Sequence, residues 1–497
     1  MSIIQEMLRK IHVRLKPYLH WFDATLLLLL VLFVLSGISL APFHGDESAY
    51  LILSEDYDRL VKDGDIGKVL FDPEGKNKQY LRLSTGSILA FTIGFARDVT
   101  DNEEPINKWL WGSSWEENVA LGNMPSPSLL NLARTCSAVM GAFSVVIFFL
   151  FVKDLFASRL AAWVAALAFA TQGGVLMNIR RAMQEGPKFL SLTLTVWIAV
   201  RILKNLQRMD LSRMPYALLG AVSGLTLAAK QDTAPMLVSV YIALALVPVW
   251  KRSPARIIMI NVLYLGVAFL LSYASFLAFM PVFWRWWESV FALSGVAIIL
   301  FQLPRLKTFD RYAKPLTFAG FALIAVMTII SPSLWSGLHI PLVSMIEQRE
   351  FTVAGQTRVL SDQITTDLTI PTNRMNFLLE NTISSRVMYS EVVSFDVPPF
   401  HEQIKVYEDS PLSGRTGSLL FDGLLAGFAI LGGWALLYKF NAESLFAYSL
   451  LLIPGVLLFA ILPLPWQRYV LILQIPYLLF SGVGARQLWG WMSGFVV

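Results

Sequence analysis

Two adjacent carboxylates follow directly on the first long apolar run of the chain, in Pro42-Phe43-His44-Gly45-Asp46-Glu47-Ser48-Ala49-Tyr50. Neighbouring carboxyls resist ionising together, so one can serve as a general base while the other orients a substrate or a cation. The same residues are also ordinary helix-start chemistry, a capping side chain followed by acids in the first turn. Spacing alone leaves both readings open. Cations recur in three other places: Asn178-Ile179-Arg180-Arg181-Ala182-Met183-Gln184-Glu185, Ala229-Lys230-Gln231-Asp232 and Trp466-Gln467-Arg468-Tyr469. Guanidinium and ammonium groups there suit a phosphate, and each is equally able to pin a helix end or reach up to lipid headgroups. Asp56-Tyr57-Asp58 and Asp63-Gly64-Asp65 have the oxygen-rich pattern that holds hard divalent ions, but in an acidic loop they read first as a solvated helix face and a turn. His339 is a lone histidine, structural by default and a secondary candidate for orienting an acceptor.

The elements that carry these residues must live in lipid. Apolar residues make up 55% of the 497 without counting glycine, and mean hydropathy is +0.58, against roughly 45–50% apolar for soluble chains. A net charge of +5 and a pI near 9.1 fit basic loops kept on one side of a membrane, and nucleic acid is not expected as a partner. The lone cysteine, Cys136, excludes an intrachain disulfide and any cysteine-based zinc site. Arg9, Lys10, Arg14 and Lys16 precede the run 24–41, the charge order of a signal peptide. That run is long enough to span, and Pro42 is a poor residue after a cut, so it reads as an uncleaved first crossing.

Long apolar runs begin near Ala24, Ala133, Leu160, Pro187, Pro215, Asp232, Arg256, Glu288, Ala313, Ser418, Ser444 and Arg468, which predicts an all-α polytopic membrane protein of about twelve helices. With both termini cytoplasmic, the connections 153–159, 201–213, 251–256, 305–314 and 439–443 lie inside, and all are basic. The first part, 1–23, is then a cytoplasmic segment. Residues 24–331 form a transmembrane module that includes a long acidic non-cytoplasmic loop, 43–132; residues 332–417 form a second such loop, a small cap; and 418–497 are the last crossings. The stretch 82–96 reads as an interfacial or half-inserted helix, since a full crossing would invert everything after it. Arg386 onward to residue 395 has a strand-like pattern, and Trp284, Trp286 and Trp287 read as an aromatic belt.

Taken together, four ordered motifs resemble the GT-C glycosyltransferase superfamily, most of all the bacterial relatives of protein O-mannosyltransferases and the lipid A aminoarabinose transferases. They are Asp46-Glu47 with Tyr50; Leu132-Ala133-Arg134 to Gly141 with Phe156-Ala157-Ser158-Arg159 leading to Arg180, Arg181 and Glu185; Gly224-Leu225-Thr226-Leu227-Ala228-Ala229-Lys230; and Trp466-Gln467-Arg468-Tyr469 with Pro476. Where such relatives often carry a basic residue before a double proline, this chain has Arg82-Leu83-Ser84-Thr85-Gly86. The Trp-Trp-Asp-Tyr-Gly signature of the superfamily's oligosaccharyltransferases is absent, and Trp286-Trp287-Glu288-Ser289 does not replace it.

The resemblance implies an inverting transferase that moves a monosaccharide from a polyprenyl-phosphate donor to a hydroxyl acceptor, in a protein, a glycolipid or a glycan. Its site would face away from the cytoplasm, in a plasma (inner) membrane. Asp46 would be the base with Glu47 beside it; Arg180, Arg181, Lys230 and Arg468 would hold the donor phosphate; Glu185, Tyr50 and His339 would orient the acceptor. No cofactor is required, no metal ligands are assigned, and a divalent cation at Asp46 or Glu47 stays open. The competing expectations are a secondary transporter or lipid flippase, or a non-catalytic membrane assembly subunit.

Overall fold

The structure is a computed structural model that describes residues 19–72, 80–302, 332–359, 366–390, 396–462 and 464–495. Its framework is helical throughout. The main helices are α1 (Leu19–Ser36), α2 (Gly45–Tyr57), α3 (Ser87–Val99), α4 (Pro127–Phe156), α5 (Arg159–Thr171), α6 (Gly173–Arg180), α7 (Glu185–Gln207), α8 (Arg213–Ala229), α9 (Ala234–Trp250), α10 (Ala255–Phe279) and α11 (Trp287–Gln302). They continue with α12 (Pro332–Val359), α13 (Pro371–Ile383), α14 (Pro398–Glu408), α15 (Leu419–Tyr438), α16 (Ala442–Ile461) and α17 (Gln474–Phe495). Among the described residues there is no strand, only an isolated bridge between Gln172 and Arg415. Arg386 to Ser390 is accordingly extended but unpaired as a sheet, and 391–395 lie outside the described residues.

Among the described residues, nine helices are long and apolar enough to cross a membrane. The runs expected from Leu160 and Pro215 are also helical, but α5 has 13 residues and α8 has 17. At 1.5 Å rise per residue both fall short of a hydrocarbon core of about 30 Å. The run from Ala313 and the basic connection 305–314 lie outside the described residues. This is the polytopic all-α architecture that the apolar runs predict.

Buried aromatics such as Phe148, Phe151, Phe169 and Phe189 fill the centre between α4, α5 and α7. Phe143, Phe269, Phe291, Ile430 and Val456 point outward, as lipid-facing positions do. Close helix approach is set by small residues: a Cβ on Gly220 would lie 2.5 Å from the Ala268 carbonyl oxygen, and one on Gly224 2.2 Å from that of Ser272, so α8 lies directly on the α10 backbone. Among the described residues the basic connections gather at one end of the bundle. There Arg159 pairs with Asp23 at 2.7 Å, Arg201 with Asp154 at 3.0 Å and Lys204 with Glu443 at 2.7 Å.

The other end carries the first long loop and the cap. Within the stretch 82–96, α3 packs on α2 and turns Leu89, Ala90 and Ile93 inward. Trp286 faces inward too, against Phe71 and Phe283, and its Nε1 donates to Ser336 Oγ at 3.1 Å. It therefore ties the first loop, the connection before α11 and the cap together, while Trp287 is exposed.

Candidate active site

The start of α2 separates the two adjacent carboxylates. His44 caps the helix, its Nδ1 accepting from the Asp46 amide at 3.1 Å, and Glu47 completes the box by accepting from the His44 amide at 3.0 Å. Glu47 is fully buried, and its two oxygens take Arg134 Nε and Nη2 at 2.8 Å each and the Ala182 amide at 2.8 Å. Burial alone would raise this carboxyl, but the charges of Arg134 and Arg181 and the hydrogen bonds outweigh it and hold Glu47 below the usual carboxylate range. Asp46, one residue earlier on the helix, turns the opposite way, into a cavity of about 170 Å³. Its side chain is 28% exposed, and Arg468 Nη1 reaches its Oδ2 at 2.5 Å.

Tyr50, one turn after Asp46, lines the same cavity, and burial followed by the charges of Asp46 and Glu185 pushes its phenol well above its ordinary value. Opposite lie Lys230 and Asp232, from the break between α8 and α9, and Arg468 and Tyr469 from the short turn Gln467–Val470. Behind Lys230 stands the fully buried Glu185, the first residue of α7, whose Oε1 pairs with the Lys230 ammonium. The equally buried Lys188 sits 3.6 Å from Glu185 and 3.3 Å from Asp232, and donates to the Arg468 carbonyl at 3.0 Å. Burial would lower Lys230, yet Glu185 and Asp232 hold it above the ordinary lysine range. The starts of α2 and α7, the break between α8 and α9 and the turn at Arg468 thus bring carboxylates and cations together at one place.

Gly86 makes this approach possible. A Cβ there would fall 2.2 Å from the carbonyl oxygens of both Ala228 and Ala229, immediately before Lys230, while the Gly86 carbonyl accepts from Gln184 Nε2 at 2.9 Å. The departure at Arg82-Leu83-Ser84-Thr85-Gly86 is therefore part of the wall, with Ser84 and Thr85 lining it.

Two of the expected phosphate ligands are elsewhere. Arg180 is fully buried and caps the open carbonyl end of α1, donating to Val34 O at 2.8 Å and Phe33 O at 2.7 Å, and also to Leu412 O at 2.5 Å and Tyr407 Oη at 3.2 Å. Arg181 donates to Pro42 O at 3.0 Å and Tyr389 O at 2.8 Å. Both fork onto backbone carbonyls and neither lines the cavity, which corrects the expectation that they hold a phosphate. Glu47 is likewise enclosed away from the cavity. His339, exposed on α12 ten residues before Arg349, is not among the lining residues.

Of the Asp-x-Asp residues, three are taken by side-chain cations: Asp56 by Arg82 at 2.5 Å and Arg59 at 3.0 Å, Asp58 by Arg97 at 3.1 Å and Lys62 at 3.2 Å, and Asp65 by Lys68 at 2.8 Å. Among the described residues no group of three or more His, Cys, Asp or Glu is placed to share an ion.

Sequence reasoning passed over Lys188 and Arg349. Lys188 carried a local signal, standing one helical turn after Glu185. Arg349 lies in the segment read as cap loop, and its signal is periodicity: Arg349, Thr352, Val353 and Gln356 share one face of α12 and all line the cavity. A larger cleft of about 460 Å³ lies on the cap beside Asn381, Arg386, Tyr389, His401 and Gln467. The smaller cavity is the better candidate, because buried charges converge on it alone of the two.

No protein-family model matches the chain, and no curated protein sequence matches it. Among solved structures it is similar to the archaeal oligosaccharyltransferase AglB from Archaeoglobus fulgidus in complex with an inhibitory peptide and a dolichol-phosphate, with a TM-score of 0.48 and 10% identity over 96% of this chain and 52% of that one. The Archaeoglobus fulgidus oligosaccharyltransferase tethered with an acceptor peptide gives a TM-score of 0.45 and 12% identity over 96% and 51%. Its complex with Zn and sulfate gives 0.44 and 10% over 94% and 49%. The chain spans about half the length of these structures.

Proposed function

We propose that this chain is a membrane glycosyltransferase that moves a monosaccharide from a polyprenyl-phosphate donor to a hydroxyl acceptor in a protein, a glycolipid or a glycan. The observation that carries the reading is a cavity at one end of the helical bundle with one partly exposed carboxylate, Asp46, facing Arg468 and Lys230. Asp46, Glu185, Lys230 and Arg468, one from each of the four ordered motifs, meet at the same place.

In this reading the acceptor oxygen attacks the anomeric carbon while its proton passes to Asp46. The bond from that carbon to the phosphate oxygen breaks with its electron pair leaving on the phosphate, so a single displacement inverts the centre. Arg468 orients the Asp46 carboxyl through Oδ2 and, with Lys230, lies where charge grows on the leaving phosphate. Glu185, Lys188 and Asp232 are positioning residues that fix the two cations in a water-poor setting. Glu47 acts through the backbone: with Arg134 it fixes the first turn of α2 and thereby Asp46. Tyr50 is placed to touch the acceptor or sugar. The cations serve the leaving group directly, so the step needs no metal.

The site lies at the end of the bundle away from the basic connections, which the positive-inside tendency puts in the cytoplasm. In this reading the site faces away from the cytoplasm in a plasma membrane, with both termini inside, and a lipid-borne donor suits a compartment without soluble nucleotide sugars.

Transfer of radiolabelled sugar from polyprenyl-phosphate donors to a membrane extract, by purified wild type and D46N in parallel, tests this. The expected result is a loss of about 10²–10⁴-fold in the variant with unchanged thermal unfolding. Equal rates would remove Asp46 as the base. No transfer by either protein across a broad donor panel would favour transport or assembly.

A further inference from the structure

The cations nearest Asp46 are already matched by carboxylates. Arg468 pairs with Asp46 at 2.5 Å, and Lys230 and Lys188 share Glu185 and Asp232. A lipid-linked sugar phosphate brings one negative charge as a diester, and the monophosphate it leaves carries about −1.5 to −2 at neutral pH. Nothing in this balanced set supplies the extra positive charge such a ligand calls for.

Arg349 does. It lines the same cavity from the cap helix α12, and among the described residues no carboxylate lies within 4 Å of its guanidinium. It lies over the ring of Tyr469, 5.6 Å from the centroid, and Tyr469 is the residue next to Arg468. The stacking sets the planar fork beside the proposed phosphate position without neutralising it. Thr352, Val353 and Gln356 on the same helix face complete that wall.

We infer that Arg349 is the residue that binds the donor phosphate as its unshared counter-charge, so that the cap helix, and not the membrane helices alone, recognises the lipid phosphate. This rests on the transferase reading above. Lys230 and Arg468 then position and polarise, while Arg349 contributes the net attraction, and that attraction strengthens as the diester becomes a monoester during transfer.

The test is binding of a radiolabelled polyprenyl monophosphate to the full-length protein in phosphatidylcholine nanodiscs, with the matching polyprenol as the phosphate-free probe. Wild type, R349A, R349Q, R349K and R285A are compared, the last at an exposed arginine in the connection before α11 that does not line the cavity. The expected result is a wild-type preference for the monophosphate, a loss on the order of tenfold or more in R349A and R349Q, a smaller loss in R349K, and wild-type affinity in R285A. Polyprenol binding at the wild-type level marks a variant as folded; should the alanine variant fail that check, R349Q decides. Wild-type affinity of R349A or R349Q for the monophosphate overturns the inference and leaves the transferase reading standing. Equal losses in R349A and R285A overturn it in favour of general surface charge, as for attraction to bilayer headgroups. A wild type that does not distinguish monophosphate from polyprenol overturns the transferase reading and this inference with it.

Discussion

Replacing Glu47 by glutamine keeps its shape but removes the charge around which Arg134, the Ala182 amide and the His44 amide are arranged. An uncompensated buried guanidinium costs about 3–5 kcal/mol, so Glu47→Gln is expected to lower the thermal midpoint markedly, whereas Asp46→Asn leaves it near wild type and removes turnover. The two phenotypes separate on one unfolding curve and one transfer assay. Their pH dependence follows. Because the folded protein holds the Glu47 carboxyl below its usual value, its stabilisation is complete above the ordinary glutamate pKa of about 4.3 and is lost as pH falls through the depressed folded value. The gap in stability between wild type and Glu47→Gln should therefore narrow from about pH 5 downward, and unfolding curves at neutral and acid pH would show it; a gap that stays constant would contradict the assignment. At this scale the sequence disclosed the pair but not the division of labour. The capping reading holds on His44 and Glu47, and the proposed chemistry falls to Asp46 alone; the division depends on Arg134, which stands 87 positions away and which no local pattern reports.

The elements meet through contacts as tight as those of single atoms. Gly86 presses on the last two carbonyls of α8, and any side chain there must push Lys230 or the first loop aside. Gly86→Ala is expected to cost about 1–3 kcal/mol through overpacking and to lower kcat by more than tenfold, because an ångström of misplacement at a site can cost about 10²-fold. Normal kcat in a folded Gly86→Ala protein would show that the loop is free to move. Helices α1, α4, α7, α9 and α10 were legible as apolar runs with basic residues at alternate ends. The cap helix α12 was not. Its chemistry-bearing face repeats every three or four residues among polar neighbours, with no continuous apolar stretch to mark it, and Gly86 gave no sign of the distant carbonyls it touches.

Over the whole molecule, Arg180 is the rivet between membrane part and cap. It binds the carbonyl end of α1 on one side and Leu412 and Tyr407 of the cap on the other. Arg180→Ala leaves several buried carbonyls unserved, at about 1–3 kcal/mol each. Hydrogen exchange across α14 and residues 409–413 is expected to rise at least tenfold in the variant, with the interior of α7 changing far less. Uniform exchange in both regions would show that the cap is not held at this point. The arginine pair was visible in the sequence as cations able to hold a phosphate or pin a helix end; that their partners are main-chain carbonyls depended on the path of the chain around them.

Asp46 and Arg468 are separated by 422 positions along the chain. At a synthesis rate of about 5–20 residues per second, the ribosome needs roughly twenty to eighty seconds to make the second after the first. Throughout that interval the cavity wants one of its walls. In the proposed reading, order of synthesis acts as a safety catch: a half-made chain does not spend lipid-linked sugar before the turn that carries Arg468 arrives.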